Sequence, residues 1–238
     1  MPQKFAVFDI DGTIFRSGLY REIVYELIAT DKAPIELSTA FAQLEIDWKT
    51  RKHVDAFKVY EQSMGKAVDS VLSRIKCSDF DAAATAVFDR VSDYVYAYTR
   101  DLVLSLRQQG YTLIAISGSQ EEIVKLFANK YGFDIWVGQH YERGDNGYFT
   151  GVIVKTHHGK DVILRRIAKD HNLNFKGSVG VGDSGGDIGM LSIVERPIAF
   201  NPDRDLFEAA KQNDWRVVVE RKNMVYELEP NGHTFVLA

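Results

Sequence analysis

The hydrophobic residues of the chain fall into two patterns. Short apolar runs bounded by polar residues occur at 5–8, 112–116 and 178–182, as is typical of strands buried on both faces. Apolar residues that recur at steps of three and four, as at 123–131 and 162–168, are typical of amphipathic helices. Because the two kinds of segment alternate, the pattern predicts an α/β fold with a central, mostly parallel sheet.

Two stretches depart from this alternation. Residues 16–95 contain no strand-type run and are helical in pattern, so we predict an inserted helical domain there. The α/β core would then consist of residues 1–15 and 96–238, an ordinary size for one domain. Between 137 and 154, two strand-like runs flank the turn sequence GDNG, which predicts a β-hairpin beside the sheet.

Composition narrows the class of protein. Of the 238 residues, 45% are hydrophobic, which is ample for a packed core. Lys and Arg number 29 and Asp and Glu number 33, so the net charge of −4 gives no broad basic surface of the kind that binds nucleic acid. No stretch approaches the roughly 20 apolar residues of a membrane span. We expect neither a nucleic-acid nor a membrane partner, and the sequence leaves the oligomeric state open.

Cysteine usage and the first residues bear on the compartment. The single cysteine, Cys77, cannot form an internal disulfide, which fits a reducing environment. The N-terminal residues run directly into the first predicted strand, without the apolar stretch of a signal peptide. We therefore expect a cytoplasmic protein.

Two acidic residues follow the first predicted strand, in the sequence DIDGT at 9–13. In an extended chain, Asp9 and Asp11 lie on the same side. Two carboxylates that close to each other require a cation or a shared proton. A polar turn after the strand, with Asp as a turn residue, is the alternative interpretation.

A second acidic pair follows the third predicted strand. If a helix begins near Ser184, Asp183 and Asp187 lie four residues apart and can face one centre. Ligands of open α/β sheets bind beyond the carboxyl ends of the strands, so the two acidic pairs together predict a site for a hard cation. Mg²⁺ suits a site with few carboxylates plus water and phosphate. Alone, Asp187 could instead be an acid that stabilises a helix N-terminus.

Ser117 and Gly118 follow the second predicted strand. Ser119 and Glu122 match a capping box, which would place the Ser117 hydroxyl and the Gly118 amide at a helix N-terminus, a natural phosphate cradle. Lys160 opens a later predicted helix, where its charge opposes the helix dipole and requires an anion. A phosphate or a neighbouring carboxylate would supply that anion, and a solvated surface lysine is the alternative.

The segment GVGDSG at 180–185 also matches the G-x-G-x-x-G pattern of dinucleotide-binding folds, with Asp203 and Asp205 about twenty residues further on. Asp183 would then lie inside the phosphate loop, where its carboxylate would repel the pyrophosphate. This interpretation also leaves the acidic pair after the first strand without a role. We therefore favour the cation site.

Taken in order, these segments resemble the four motifs of the haloacid dehalogenase (HAD) superfamily. They are DxDGT at 9–13, a hydrophobic residue before Ser117 and Gly118, then Lys160, and GDSxxD at 182–187. The chain is similar to the phosphoserine-phosphatase-like branch (subfamily IB), in which a helical C1-type cap is inserted between the first two motifs. The resemblance implies an HAD-like Rossmannoid core with a cap at 16–95 that sets specificity.

The resemblance also implies a role for each site residue. Asp9 would attack phosphorus and become an aspartyl phosphate, and Asp11 would protonate the leaving alcohol and then activate water. The implied ligands of Mg²⁺ are Asp9, the backbone carbonyl of Asp11 and Asp183, with Asp187 as a ligand either directly or through water. The implied phosphate-binding groups are Ser117, the Gly118 amide and Lys160.

The implied activity is Mg²⁺-dependent hydrolysis of a small phosphorylated metabolite. A phosphoserine-like substrate is one candidate, although phosphoserine phosphatases place a substrate-binding Glu where this chain has Gly18 and often Ser where it has Gly12. The insertion offers basic residues for substrate recognition, and no sequence rule selects among them: Arg16, Arg21, Arg51 and Arg74.

Two alternatives stay open. A phosphotransferase or mutase would pass the aspartyl phosphate to another hydroxyl group. A phospho-ligand-binding module would keep the fold without turnover, but the presence of both Asp9 and Asp11 argues against it, because binding alone needs neither a nucleophile nor a proton donor.

Overall fold

A computed structural model describes residues 3–156, 159–232 and 234–237. The chain forms two compact units, which we call the core unit and the helical unit. The core unit comprises Met1–Gly18, Ser92–Gln139 and Lys155–Ala238. The helical unit comprises Leu19–Val91 and His140–Val154.

The regular elements alternate as the hydrophobic pattern predicts. The strands are β1 Gln3–Phe8, β2 Thr112–Gln120, β3 Ile135–Arg143, β4 Phe149–Val154, β5 Leu173–Gly182, β6 Arg196–Phe200, β7 Arg216–Arg221, β8 Met224–Asn231 and β9 Thr234–Leu237. The helices are α1 Leu19–Ala29, α2 Ile35–Ala40, α3 Ala42–Lys49, α4 Ala56–Val71, α5 Cys77–Val91, α6 Ala97–Gln108, α7 Glu121–Tyr131, α8 Lys160–Asp170, α9 Ile188–Leu191 and α10 Arg204–Gln212. None of the helices in the described ranges is both long and apolar enough to cross a bilayer.

The core unit is built on a sheet with the strand order β3-β2-β1-β5-β6-β7-β8-β9. The strands from β3 to β7 in this order are parallel, and β8 and β9 extend one edge in antiparallel fashion. Both faces of β1 are buried: Phe5 and Val7 join a cluster with side chains of α8, α9 and α10, and the Phe8 ring meets Phe133 at 5.8 Å. The predicted α/β class with a mostly parallel sheet is therefore confirmed.

The register of three strands brings their carboxyl ends to one place. Phe8 of β1 pairs with Ala115 of β2 and with Val181 of β5. The next amide, that of Asp9, donates to the Val181 carbonyl at 3.0 Å. Each of the three strands therefore delivers its following residues to the same edge of the sheet.

The chain returns from the helical insertion beside the point where it left the core. The Arg16 amide donates to the Tyr94 carbonyl, and the Tyr96 amide donates to the Ile14 carbonyl, both at 2.9 Å. The carboxylate of Glu220, near the end of β7, then accepts hydrogen bonds from two amides at the start of α6. The chain segments just before and just after the insertion are therefore held by hydrogen bonds within the core unit.

The helical unit contains α1 to α5 and a hairpin made of β4 and the second half of β3, which confirms the predicted hairpin. Tyr148, next to β4, forms a bridge with Lys76 just before α5. The ring of Phe80 in α5 lies 5.8 Å from that of Tyr141 and 5.4 Å from that of Phe149. The hairpin therefore packs with α5 within this unit, whereas the boundaries from sequence pattern include it in the core.

Candidate active site

Lys160 lies at the centre of the candidate site. It is the first residue of α8, which follows Gly159 in a left-handed conformation. Its buried Nζ donates to Asp9 Oδ1 and to Asp187 Oδ1, both at 2.7 Å. Neighbouring carboxylates therefore supply the anion that a lysine at a helix N-terminus requires, and the interpretation as a solvated surface lysine is wrong.

Asp187 is fully buried, and both of its carboxylate oxygens have partners. While Oδ1 accepts from Lys160, Oδ2 accepts from the amides of Asp183 and Ser184 at 3.1 and 3.0 Å and from the Ser184 hydroxyl at 3.1 Å. Ser184 and Asp187 form a capping box around the short turn that precedes α9. Asp187 thus fixes both the turn that carries Asp183 and the ammonium that contacts Asp9.

Three carboxylates converge at this edge of the sheet. One oxygen each of Asp9, Asp183 and Asp187 lies within 4.8 Å of the others. Burial raises the pKa of Asp9 to about 7; the charge of Lys160 opposes this shift, and those of Asp187 and Asp11 add to it. Burial, with the charges of Asp9 and Asp187, also raises the pKa of Asp183 well above its usual value.

These carboxylates fit a hard cation. The cluster offers oxygen ligands only, which is the donor set that Mg²⁺ prefers. One ammonium, that of Lys160, contacts two of the three acids, so with all three acids ionised the cluster carries more negative than positive charge. Burial lowers the Lys160 pKa, but the charges of Asp187 and Asp9 outweigh it and hold that pKa above its usual value. An added divalent cation would balance the remaining charge.

Asp11 and Ser117 form a separate contact in the same region. The Ser117 hydroxyl donates to Asp11 Oδ2 at 2.7 Å and accepts from the Ser119 amide at 2.9 Å. The Thr156 hydroxyl donates to the Ser117 carbonyl, so the buried serine is held through both its side chain and its backbone. Asp11 is therefore held by a hydroxyl group, whereas Asp9 and Asp187 are held by the ammonium of Lys160.

The predicted capping box at Ser119 is wrong in its register. The strand β2 continues to Gln120, which is the N-cap of α7, so Ser119 is still in extended chain. Gly118 likewise lies within β2 and not at the first turn of a helix. The sequence pattern of a capping box often occurs by chance. Here Gln120 still pairs with Gln139 of β3, so the strand continues past Ser119 and the helix begins later than the pattern predicts.

Gly12 allows the close approach of the first and last motifs. Its φ is +77°, and a Cβ atom at this position would lie 2.0 Å from Asp183 Oδ2. The next residue, Thr13, is buried and donates its hydroxyl to Asp183 Oδ1 at 3.4 Å. The sequence does not predict this hydrogen bond between Thr13 and Asp183, although Thr13 belongs to the DxDGT motif.

The turn after β5 also contradicts the dinucleotide interpretation. Asp183 joins the acidic cluster, and its neighbours 185–187 form a single 3₁₀ turn. The α-helix that follows, α9, has only four residues. A dinucleotide site needs a longer helix whose N-terminus faces the pyrophosphate without an intervening carboxylate.

Comparison with known proteins agrees with this geometry. The model of the haloacid dehalogenase-like hydrolase family matches residues 6–192. Over 225 residues the chain is 24% identical to the inhibition of morphological differentiation protein of Streptomyces azureus, covering 92% of this chain and 79% of that protein. Over 226 residues it is 24% identical to a histidinol-phosphatase of Neisseria meningitidis serogroup C (strain 8013). This match covers 91% of this chain and 98% of that protein.

A solved structure supports the same assignment at the level of the fold. It is a phospho-aspartyl intermediate analogue of phosphoserine phosphatase, with a TM-score of 0.63, 22% identity, and coverage of 93% of this chain and 95% of that chain. The resemblance found from the motifs is confirmed, because the family match spans most of the chain and includes Asp9, Lys160 and Asp187. The chain belongs to the haloacid dehalogenase-like hydrolases and is a phosphatase-like member of that family.

Proposed function

We propose that the protein is a Mg²⁺-dependent phosphomonoester hydrolase that acts on a small phosphorylated metabolite through an aspartyl phosphate. The observation that carries the proposal is the environment of Asp9 and Asp11. The Asp9 carboxylate accepts from the Lys160 ammonium at 2.7 Å. The Asp11 carboxylate, at the same strand end, accepts from a hydroxyl group at 2.7 Å. Two neighbouring acids in different environments can take different roles in one reaction.

In the proposed first step, a carboxylate oxygen of Asp9 attacks phosphorus and the bond from phosphorus to the ester oxygen breaks. Lys160 holds Asp9 in one orientation, so less of the barrier goes into positioning the nucleophile. Asp11, in its protonated form, gives its proton to the departing alkoxide, which leaves as an alcohol. Ser117 and the Gly118 amide contact the oxygens of the transferring phosphoryl group.

In the proposed second step, Asp11 accepts a proton from a water molecule that attacks the phosphorus of the aspartyl phosphate. The acyl phosphate bond breaks, Asp9 is regenerated as a carboxylate, and inorganic phosphate leaves. Asp9 and Asp183, with Asp187 and the Asp11 carbonyl, would hold Mg²⁺. When bound, the ion would offset the negative charge of the phosphoryl group and of the attacking carboxylate.

The proposal includes a cap role for the helical insertion at 16–95. We propose that this insertion contributes to substrate selection, whereas Asp9, Asp11 and Lys160 act on the phosphate that all candidate substrates share. The measurement is kcat/KM across phosphorylated amino acids, sugars, amino alcohols and nucleotides. A clear preference within this panel supports the cap role, and equal values throughout would contradict it.

The nucleophile is tested with Asp9→Asn. With an aryl phosphate and Mg²⁺, we expect kcat to fall by about a thousandfold or more, because the amide is a poor nucleophile. Asp11→Asn should instead accumulate the aspartyl phosphate, since an aryl leaving group needs little protonation while water attack still needs a base. Mass spectrometry of the acid-quenched protein would detect the added phosphoryl group.

A matched control is Asp101→Asn, which alters an exposed acid of the core unit paired with Arg100. This variant should keep full activity. Full activity in Asp9→Asn would overturn the nucleophile assignment. Phosphate recovered on an added acceptor alcohol, in place of free inorganic phosphate, would indicate a phosphotransferase.

A further inference from the structure

Two of the basic residues considered for substrate recognition are already engaged. Arg74 forms a two-pronged pair with Glu36, at 3.1 and 2.9 Å. The guanidinium of Arg21 lies 4.9 Å from the centre of the Trp48 ring. Both contacts lie within the helical unit, so these side chains contribute to its own packing. Arg16 differs, because it belongs to the core unit that carries the acidic cluster.

The backbone fixes Arg16 near the candidate active site. Arg16 lies five residues after Asp11, and its amide donates to the Tyr94 carbonyl at 2.9 Å. The neighbouring pair, Phe15 and Val95, forms an antiparallel bridge. Arg16 therefore extends from a short two-stranded segment that is continuous with the DxDGT motif.

The ring of Tyr96 gives the Arg16 side chain a platform. The guanidinium carbon lies 5.6 Å from the centre of this ring, and the ring packs edge-on against Phe200 at 4.9 Å. Burial raises the pKa of Tyr96, the charge of Asp183 adds to the increase and the charge of Arg16 opposes it. The Tyr96 hydroxyl is therefore within electrostatic reach of both the acidic cluster and Arg16.

The guanidinium has unused binding capacity. Arg16 is exposed, and no carboxylate among the described residues forms an ion pair with it. Stacking on an aromatic ring occupies the face of a guanidinium and leaves its N–H donors at the edge. Those donors match the geometry of a carboxylate or a phosphate.

We propose that Arg16 is a specificity-determining residue that binds a second oxyanion of the substrate, a carboxylate or a second phosphate. The substrate class is then a small phosphomonoester with a negative charge at the end remote from the scissile phosphate. The inference rests on the proposed function for the position of the scissile phosphate. Tyr96 acts as a positioning residue, because its ring lies 5.6 Å from the guanidinium carbon and supports one face of the group.

The test uses phosphonates, whose carbon–phosphorus bond the proposed reaction does not cleave. Three series are compared at each length of the methylene spacer: alkylphosphonates, phosphonocarboxylates and bisphosphonates. Dissociation constants are measured by calorimetry at constant free Mg²⁺ for the wild-type protein and for Arg16→Met, Arg16→Lys and Arg100→Met. Arg100→Met is the matched control, since it removes another exposed arginine of the core unit.

At one spacer length or more, we expect the wild type to bind a phosphonocarboxylate or a bisphosphonate about tenfold or more tightly than the matching alkylphosphonate. Arg16→Met should reduce that preference to less than about twofold and leave alkylphosphonate binding unchanged within about twofold. Arg16→Lys should keep part of the preference and Arg100→Met all of it. The series with the larger preference identifies the second oxyanion.

The inference is overturned if the wild type shows no preference at any spacer length, or if Arg16→Met keeps the preference. It is also overturned if Arg16→Met weakens all three series equally, which would indicate a general effect on the phosphate site. Failure of the proposed function is a separate result: the wild type would then not hydrolyse an aryl phosphate, whatever its preference among phosphonates.

Discussion

Each unit of the protein buries a cation, and the two cations have different neighbours. Lys160 in the core unit is 4% exposed and contacts two carboxylates at 2.7 Å. Arg21 in the helical unit is 9% exposed and lies over the rings of Trp48 and Phe57, with Glu61 at 3.8 Å. A buried charge needs compensation in either case, but the compensation comes from charges in one unit and mainly from aromatic rings in the other.

The difference indicates what each cation does. The acids around Lys160 exceed it in number, so in their ionised form they carry a negative charge that suits a cation and repels an unassisted phosphate. The rings around Arg21 are neutral, and they bury its aliphatic stem together with its charge. We infer that the first arrangement serves binding and chemistry, and that the second serves the packing of helices.

The largest effect should come from Lys160→Met, which leaves two buried carboxylates without their ammonium. Breaking a buried pair in this way costs about 3–5 kcal/mol, so the melting temperature should fall by about 10 °C. Hydrolysis of an aryl phosphate should fall at least about a hundredfold, because Asp9 loses its orienting partner. Differential scanning calorimetry and steady-state kinetics measure the two effects.

Lys169→Met is the control for this variant, since Lys169 is an exposed residue in the last turn of the same helix. Its melting temperature and activity should stay at wild-type values. A Lys160→Met protein that keeps its activity would show that the reaction does not need the buried ammonium, which would contradict the role inferred for Lys160.

A smaller effect is expected from pH in the absence of divalent cations. Because the pKa of Asp9 rises from 3.8 to about 7 on folding, the folded protein binds more protons than the unfolded chain between these values. Stability should therefore decrease as the pH rises through this window, by roughly 5 °C or more in melting temperature from about pH 5 to about pH 8. Added Mg²⁺ competes with protons for the carboxylates, so its stabilising effect should grow with pH.

Thermal melts at several pH values, with EDTA or with Mg²⁺, test this expectation. Asp9→Asn removes one titrating group and should flatten the pH dependence in EDTA. A metal-free wild-type protein whose melting temperature stays constant or rises over the same window would contradict the assigned charge imbalance.

The smallest effect should come from Arg21→Met, which keeps much of the aliphatic stem and loses the stacked charge. A cation–π contact contributes about 1–2 kcal/mol, so the melting temperature should fall by about 5 °C. The kcat for an aryl phosphate should stay unchanged, because the residue contributes to the packing of the helical unit. Loss of kcat with an unchanged melting temperature would assign Arg21 to the reaction.

The parts of the fold and site that sequence predicts are those with a local signal. Short runs bounded by polar residues predict the strands that Asp9 and Asp183 follow, and the alternation of strands with helices predicts the parallel arrangement. Strand ends of a parallel sheet meet at one edge, so the sequence alone predicts that these acids lie close together. Lys160 gives a weaker signal, because a single residue is not a pattern; only its place at a helix N-terminus distinguishes it from other lysines.

The parts that sequence does not predict depend on contacts between distant segments. The helical periodicity continues from α5 into α6, yet the chain between them is extended because Val95 pairs with Phe15. The platform of Arg16 arises from the same pairing, and nothing in the residues around Tyr96 indicates it. Side-chain partners such as Ser117 for Asp11, separated by 106 positions, are fixed by strand register and not by local propensity.

The helical unit is made from two separate stretches of chain, and this has a consequence for how such proteins can change over evolutionary time. The segment 140–154 folds against α5, with the Cys77 amide bonded to the Gly147 carbonyl and the Phe149 amide to the Ile75 carbonyl. A recombination event that exchanged residues 19–91 alone would leave a hairpin without its partner helix. Exchange of the intact helical unit therefore requires two coordinated exchanges, and chimaeras of related proteins should fold best when both segments come from the same parent.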